Sequence, residues 1–312
     1  MIRKRNNIAI VCTIFVLIGI ILAIMRDGVG IDQSLQEPEE PRHLIPRNIW
    51  QIFLPPTNFR GRFVIDPERI GDTATWLAMN PDYTYKLVGL AGANTFVDEH
   101  YADNLELRTA YYALRNPGLK SDLLRYLILS IEGGTYTDTD TIALKPITHW
   151  VPQHIQHLVR VVIGIEFDRL DGDRLAEMTH DVQFCQWTIS AAPHHPLFKT
   201  MANRALGSLK KLERSYNTTI EELKPTSLEV VNSTGPAAWT DVVFSYLQQA
   251  DPSLVSTRDL SGLTQPKLYG DILILPIDGF GMGMWHSHST NDGTIPDIAL
   301  VKHNFRGSWR GE

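Results

Sequence analysis

Hydrophobic positions alternate between two periods along the chain from residue 44 onward. Short runs rich in β-branched and aromatic residues predict strands at residues 44–53, 83–89, 159–166, 184–191 and 272–276. Apolar residues at helical spacing predict helices near residues 67–79, 94–101, 104–114, 118–132, 196–214 and 236–249. Because strands that alternate with helices are typical of α/β proteins, we expect an α/β domain with a mixed, mostly parallel sheet.

The first 43 residues have a different pattern. Residues 8–25 carry no charge, and as a helix they would extend roughly 27 Å, close to the thickness of a bilayer core. We expect an uncleaved transmembrane anchor, because the apolar region of a signal peptide is shorter and ends in small residues. Basic residues at positions 3–5 place the tail, residues 1–7, in the cytosol. The acidic segment 26–43 is then a stem, and residues 44–312 form a luminal catalytic domain.

Composition narrows the class of protein further. The chain has 312 residues, of which 43% are hydrophobic, and a net charge of -6 without a basic cluster in its body, which argues against nucleic-acid binding. Cys12 lies in the predicted anchor, so Cys185 is the only luminal cysteine and no luminal disulfide forms within the chain. Asn217 and Asn232 begin glycosylation sequons, which fits a luminal domain.

Two carboxylates lie one residue apart in the stretch GGTYTDTDTIALKP, residues 133–146. Asp138 and Asp140 follow a short strand-like run, and the carboxyl ends of strands are where ligands collect in open α/β sheets. Oxygen ligands of this kind suit Mg²⁺ or Mn²⁺, which would neutralise diphosphate charge during transfer from a nucleotide sugar. A second pair, Asp171 and Asp173, has charged neighbours on both sides and is interpreted as a solvated loop.

The helix that leads into this stretch carries a second pair of charges. Asp122 and Arg125 lie three residues apart, on one face of the predicted helix in NPGLKSDLLRYLILSIEGG. On a random helix they would form a surface ion pair worth a few tenths of a kcal/mol. Here the helix runs directly into the paired aspartates, which favours a role in the same site. An aspartate-nucleophile phosphohydrolase is disfavoured, since no buried apolar strand precedes DTDTI.

The segment SDLLRYLILSIEGGTYTDTDTIALKPI resembles the core of glycosyltransferase family 32, which has an Asp-x-Asp sugar-binding motif. IPRNIWQIF, QWTISAAPHHPLF, STGPAAWTDVVFSYL, ILILPIDGFG and VKHNFRGSW resemble other blocks of that family in the same order, so the similarity spans roughly residues 44–309. Within the family the chain is most similar to the fungal Golgi α-1,6-mannosyltransferases that initiate outer-chain extension of N-glycans.

The resemblance implies a GT-A-like nucleotide-sugar-binding fold and a metal-dependent, retaining transfer of mannose from GDP-mannose. It also implies a single-pass type II Golgi membrane protein with Mn²⁺ or Mg²⁺ as cofactor. By the same resemblance, Asp138 and Asp140 are catalytic and bind the metal together with His303. The donor would be held by six further residues, namely Asp122, Arg125, Trp50, Gln51, Gly235 and Pro236.

Several alternatives stay open on the sequence alone. Trp50 is equally compatible with the core, Gly235 and Pro236 with a plain helix start, and Glu166 is the nearest candidate for a nucleophile. His286 and His288 have metal-like spacing, but their loop departs from the family pattern. The acceptor could be an N-linked glycan or inositol-phosphoceramide, and the chain could also be a non-catalytic subunit of a mannosyltransferase complex.

Overall fold

The computed structural model describes residues 44–54, 67–173, 175–176 and 178–306. The predicted tail, anchor and stem, residues 1–43, lie outside these ranges. Among the described residues, no helix has both the length and the apolar character needed to cross a bilayer.

Nine strands and eight α-helices follow one another along the described residues. The strands are β1 (Asn48–Ile52), β2 (Thr84–Val88), β3 (Gly134–Thr137), β4 (Thr141–Ala143), β5 (Val161–Asp168), β6 (Val182–Ala191), β7 (Lys267–Tyr269), β8 (Ile272–Leu275) and β9 (Val301–His303). The helices are α1 (Pro67–Met79), α2 (Leu90–His100), α3 (Leu105–Ala113), α4 (Pro117–Ile131), α5 (Pro196–Tyr216), α6 (Ser227–Ser233), α7 (Pro236–Ala250) and α8 (Ile277–Gly281). All six predicted helices and all five predicted strands are confirmed.

Seven strands form one sheet in the order β2-β1-β3-β6-β5-β8-β7. The pairs β1/β2, β1/β3 and β5/β8 are parallel, whereas β3/β6, β5/β6 and β7/β8 are antiparallel. The sheet is mixed, as expected: five of its seven strands, β1, β2, β3, β5 and β8, run in one direction, although only half of the neighbouring pairs are parallel. Consecutive strands β5 and β6 are joined without an intervening helix, and β7 and β8 form a hairpin, so neither pair has the crossover that a parallel pair requires.

A separate two-stranded sheet brings the end of the described chain to the middle of it. Strands β4 and β9 pair antiparallel, and Thr141 lies opposite His303 in their register. Because β4 begins three residues after Asp138, this pairing carries His303 to the turn between β3 and β4. Two strands of three residues, far apart in sequence, therefore determine which side chains meet at the sheet edge.

Helix α4 packs against strand β3 and helix α5. Its first turn is capped by the side chain of Asn116, which accepts a hydrogen bond from the backbone N–H of Leu119, and Pro117 occupies the first helical position. Eleven of its residues are buried, which is why the helix packs against both α5 and the sheet. Gly133 and Gly134, with φ of +61° and +94°, then turn the chain directly into β3.

Candidate active site

The turn after β3 holds Asp138 through its backbone. Its N–H donates to the carbonyl of Trp187 on β6 (2.8 Å). Its carbonyl oxygen accepts hydrogen bonds from Gln51 Nε2 (3.0 Å) and Thr141 Oγ1 (2.6 Å). With the main chain fixed on both sides, the carboxylate direction is set by the fold rather than by a flexible loop.

Asp138, Asp140 and His303 form a group that could hold a metal ion, with one ligand atom from each lying within 4.8 Å of the others. The Nε2 atom of His303 lies 3.3 Å from an oxygen of Asp140 and 3.8 Å from an oxygen of Asp138. Two carboxylates and one imidazole are a donor set that Mn²⁺ accepts, and Mg²⁺ accepts the two carboxylates. The three predicted metal ligands are thus brought together at one point.

The electrostatics of this group favour a positive charge between the carboxylates. Burial opposes the charged imidazole, but hydrogen bonds to Asp138 and Asp140 and their charges raise the pKa of His303 to about 9. Burial also opposes ionisation of Asp140, yet His303 and the backbone N–H of Arg306 lower the pKa of Asp140 to about 2. Because the carboxylates stabilise a proton on His303, the donor set fits a divalent cation that takes the place of that proton.

The imidazole of His303 is also fixed by packing. Its ring packs against Trp187, with centroids 5.0 Å apart, and against Phe305, with centroids 4.0 Å apart. Its Nδ1 lies 3.1 Å from the backbone nitrogen of Phe305, and Nε2 is the nitrogen that faces the carboxylates. At metal sites the second nitrogen of a ligand histidine carries the proton and donates it, so ligation of a cation through Nε2 would place the ring proton on Nδ1 and replace this contact with Phe305.

Arg125 connects Asp138, a candidate metal ligand, with helix α4. Its guanidinium lies 2.9 Å from Asp122, 3.5 Å from Asp138, and donates to the carbonyl of Gln186 (2.9 Å). It also lies over the ring of Tyr136, 4.6 Å from the centroid. Burial opposes its charge, but Tyr136, Asp138 and Asp122 together raise the pKa of Arg125, so the side chain carries a fixed positive charge beside the predicted diphosphate position.

Asp122 is held by three donors from three different elements. Arg125 and Gln186 Nε2 (3.2 Å) donate to one carboxylate oxygen, and Thr234 Oγ1 (2.8 Å) donates to the other. Tyr126 completes the network, because its hydroxyl contacts Gln186 Oε1 (2.5 Å) and the carbonyl of Thr234 (3.0 Å). A carboxylate has about four acceptor positions, so about one remains on Asp122. Burial raises the pKa of Asp122 despite the neighbouring arginine.

The residues after β9 tie the site to α1. The backbone N–H of Arg306 donates to Asp140 (2.9 Å), and its guanidinium contacts Asp72 (3.1 Å) and Glu68. Asn304 also donates to Asp72, at 3.1 Å. Asp72 thereby orients the segment that supplies both His303 and the N–H that satisfies Asp140.

The predicted donor-binding residues divide into two groups. Asp122 and Arg125 lie within the network beside Asp138. Trp50 is buried and its Nε1 donates to the carbonyl of Gly133 (2.9 Å), whereas the amide oxygen of buried Gln51 accepts from Thr73 and Tyr85. The structure therefore gives the side chains of Trp50 and Gln51 contacts within the protein that stabilise the site.

Gly235 and Pro236 begin helix α7 next to Asp122. Gly235 is the N-cap and Pro236 the first helical residue, and the preceding Thr234 donates to Asp122. A Cβ on Gly235 would lie 2.7 Å from the Cα of Val231, so glycine is required there by close packing. The predicted turn thus exists and positions Thr234.

The remaining candidates lie elsewhere. Glu166 is buried near the end of β5, and Asp171 is fully exposed beside Arg258. Among the described residues His286 and His288 do not join a group of three metal-ligating side chains. Both predicted glycosylation positions are exposed, at the end of α5 for Asn217 and within α6 for Asn232.

Sequence reasoning missed Gln186, Tyr126, Thr234 and Asp72 as members of the site. Tyr126 lies one turn after Asp122 on α4, so helical spacing could have identified it. Gln186 and Thr234 lie in blocks that resemble the family, but nothing in their local pattern points to Asp122. Asp72 lies in α1, 234 residues before its partner Arg306, and no sequence signal predicts that contact.

Comparison with known proteins identifies the class of protein to which this chain belongs. A family model described as a glycosyltransferase sugar-binding region containing a DXD motif matches residues 67–156. The initiation-specific alpha-1,6-mannosyltransferase of Schizosaccharomyces pombe is 34% identical over 289 residues, which cover 90% of this chain and 68% of that protein. The protein of the same name from Candida albicans is 29% identical, over 89% of this chain and 76% of that protein.

Among solved structures, the PaToxG glycosyltransferase aligns with a TM-score of 0.44 and 19% identity, over 68% of this chain and 73% of that one. The DXD family model and the sequence relatives define the class of protein as a glycosyltransferase, and the DXD turn lies at the edge of the seven-stranded sheet. The chain belongs to the glycosyltransferase family whose sugar-binding region contains the DXD motif. The resemblance noted from the sequence is thereby confirmed.

Proposed function

We propose that this enzyme is an α-1,6-mannosyltransferase that moves mannose from GDP-mannose to a mannose of an N-linked glycan. Two relatives, 34% and 29% identical, are initiation-specific alpha-1,6-mannosyltransferases, which supports both mannosyl transfer and the linkage. The observation that most supports this function is that Asp138, Asp140 and His303 lie close together. The buried pair of Arg125 and Asp122 lies beside them. An acidic cation site next to a fixed guanidinium is suited to a sugar joined to a diphosphate.

Each side chain has a part in that transfer. Asp138, Asp140 and His303 would hold Mn²⁺ or Mg²⁺, which when bound neutralises charge on the departing diphosphate. Arg125 supplies a permanent positive charge on the opposite side of Asp138. Asp122 is oriented by Gln186 and Thr234, which leaves its remaining acceptor position for a sugar hydroxyl.

Retention of configuration follows from the chemistry of donor and product. The mannose of GDP-mannose is α-linked to phosphate, and an α-1,6 product has the same anomeric configuration. Attack from the face of the departing diphosphate, or two successive inversions, would give this result. Glu166 is near the sheet edge and stays the candidate for a nucleophile in the second case.

We also propose that the protein is a type II Golgi membrane protein, anchored by residues 8–25, with its catalytic domain in the lumen. The uncharged span and the basic residues before it support this topology. Exposed Asn217 and Asn232 are consistent with it, because both are reachable by the luminal glycosylation machinery.

The test is transfer of radiolabelled mannose from GDP-mannose by the detergent-solubilised full chain. Oligomannose N-glycan and inositol-phosphoceramide are offered as separate acceptors, and the linkage of the product is determined by methylation analysis. We expect α-1,6-linked mannose on the glycan, loss of transfer with EDTA, and recovery when Mn²⁺ is added. Transfer to the lipid alone, or to neither acceptor, contradicts the proposed acceptor, and full activity in EDTA contradicts the metal.

A further inference from the structure

Trp285 differs from the other tryptophans that the structure describes. Trp285 is 76% exposed, whereas the other five tryptophans are at most 5% exposed. Those five lie in the two hydrophobic clusters of the core. A single exposed apolar side chain is common on protein surfaces and needs no explanation by itself. The surroundings of Trp285 are what distinguish it.

The Trp285 loop, residues 282–290, is held in one conformation by hydrogen bonds. Asp278 at the start of α8 accepts hydrogen bonds from Ser289 Oγ (2.9 Å), Thr290 N (2.8 Å) and Thr290 Oγ1 (2.6 Å). Ser287 and His288 have φ of 60° and 55°, a region that residues with a Cβ seldom adopt. Left-handed residues held by such a network are found preferentially where a loop presents a binding surface.

The Trp285 loop lies at the same edge of the sheet as the metal-ligating group. Ser287 Oγ accepts the backbone N–H of Asp168 (2.9 Å), and the ring of His286 packs against Phe167 at 5.5 Å. Both partners lie at the carboxyl end of β5, which is parallel in direction to β1 and β3 through its pairing with β6. Helix α8, which precedes the loop, contacts β9, the strand that carries His303.

The spacing of the two features fits separate units of one oligosaccharide. Strands β3 and β5 are separated by β6 alone, so they lie about 10 Å apart at about 4.8 Å per strand. Asp138 lies opposite Trp187 of β6, whereas Asp168, which contacts the loop, lies opposite Val182, so the two are also offset along the strands by about 16 Å at about 3.3 Å per residue. The Trp285 loop is therefore too far away to contact a sugar that reacts at Asp138, but a saccharide of several units that extends from the acceptor hydroxyl can reach it. The ring of His286 lies edge-on to the ring of Trp285, with centroids 5.1 Å apart, and its Nδ1 contacts Ser287 Oγ (2.8 Å).

We propose that Trp285 is a stacking platform for a mannose unit of the acceptor oligosaccharide other than the unit that receives the new bond. A pyranose ring has one face of C–H groups, which packs on an indole, while its hydroxyls bond to polar groups at the rim. Preorganisation of the Trp285 loop lowers the entropic cost of that contact. This inference rests on the proposed function, since it concerns the acceptor of the same site.

The first experiment compares acceptors of two lengths with the full chain. We expect Trp285→Ala to lower the ratio of kcat/KM for an oligomannose glycan to kcat/KM for methyl α-mannoside by about tenfold. Trp285→Phe should restore much of the ratio, because it keeps an aromatic face. Leu105→Ala is the matched control, since Leu105 is 73% exposed and lies on α3, and it should leave the ratio unchanged. Thermal unfolding checks that each variant is folded.

The second experiment measures binding without catalysis. Titration of the native chain with free oligomannose should change tryptophan emission, and Trp285→Phe should lose that change, while a cello-oligosaccharide should have no effect in either. The proposal that Trp285 is a stacking platform is overturned by either of two results. One is a ratio of the two kcat/KM values that is unchanged in Trp285→Ala, and the other is the native change of tryptophan emission in Trp285→Phe. If the native chain transfers no mannose, the proposed function fails, and this titration still decides whether Trp285 binds mannosides.

Discussion

The same Asp-x-Asp pattern occurs twice in this chain and has two different environments. Asp138 and Asp140 follow a strand in the middle of the sheet, and His303 and Arg125 lie within 4 Å of one or both of them. Asp171 and Asp173 lie in the loop between β5 and β6, both exposed, with Arg258 at 3.6 Å from Asp171. The spacing of the carboxylates is shared, whereas burial, cationic neighbours and backbone support are not.

The arginines of the two regions show why this difference matters. The Arg125 and Asp122 side chains are each 6% exposed, and their pair is joined to a network that includes Gln186 and Thr234. The Arg258 and Asp171 side chains are 53% and 103% exposed. Charges in water interact weakly, whereas removal of one partner from a buried pair leaves an uncompensated charge. The buried region can therefore hold a ligand charge in place, and the exposed loop cannot.

The largest expected effect separates the two motifs directly. Asp138→Asn keeps the shape of the side chain but removes the charge of a proposed metal ligand, so we expect roughly a thousandfold loss of kcat/KM, or about 4 kcal/mol of transition-state stabilisation. The double variant Asp171→Asn, Asp173→Asn should stay within about twofold of the native enzyme, as surface charges contribute little. Steady-state mannosyl transfer measures both. Equal losses in the two variants would show that spacing alone, and not environment, decides the role.

The next effect tests the buried charge pair. Arg125→Met leaves Asp122 buried without its cation, and we expect about 3 kcal/mol of lost stability at pH 7 in urea unfolding. Burial favours the protonated form of Asp122 in this variant, so its folded pKa lies above its unfolded value. Lowering the pH toward 5 should therefore reduce the deficit, since a proton removes the uncompensated charge. A deficit that grows as the pH falls would contradict this account.

A smaller effect is expected from removal of the Thr234 hydroxyl, which donates to Asp122 from the connection between α6 and α7. Thr234→Val removes the hydrogen-bond donor at 2.8 Å from Asp122 with little change of shape, and we expect about 2 kcal/mol of lost stability together with a raised KM for the proposed donor, GDP-mannose. Thr234→Ser should restore both. Because Thr234 also completes the sequon of Asn232, Asn232→Gln is the control that removes only the sequon. The same loss in Asn232→Gln would assign the effect to the glycan.

The sequence predicted the parts of the site that are local. Helix α4, its Asp122 and Arg125, and the two aspartates after β3 follow from apolar period, caps and spacing within 25 residues. His303 was found only through the resemblance of its block, because the pairing of β4 with β9 joins residues 162 positions apart. The antiparallel pairs were missed for a related reason, since the direction of a strand depends on its connection and not on its own residues.

The smallest expected effect is the exposed counterpart of the Arg125 experiment. Arg258→Met should change the free energy of unfolding by less than about 0.5 kcal/mol, because both partners stay hydrated when the pair with Asp171 is lost. Urea unfolding of Arg258→Met and Arg125→Met under the same conditions gives the loss of unfolding free energy for each region, and these two values can be compared directly. Raising the salt concentration should leave the Arg125 deficit nearly unchanged, since solvent ions do not reach a buried pair. Equal losses of unfolding free energy for the two arginine variants would mean that burial does not distinguish the two motifs. The difference in environment would then not explain their different roles.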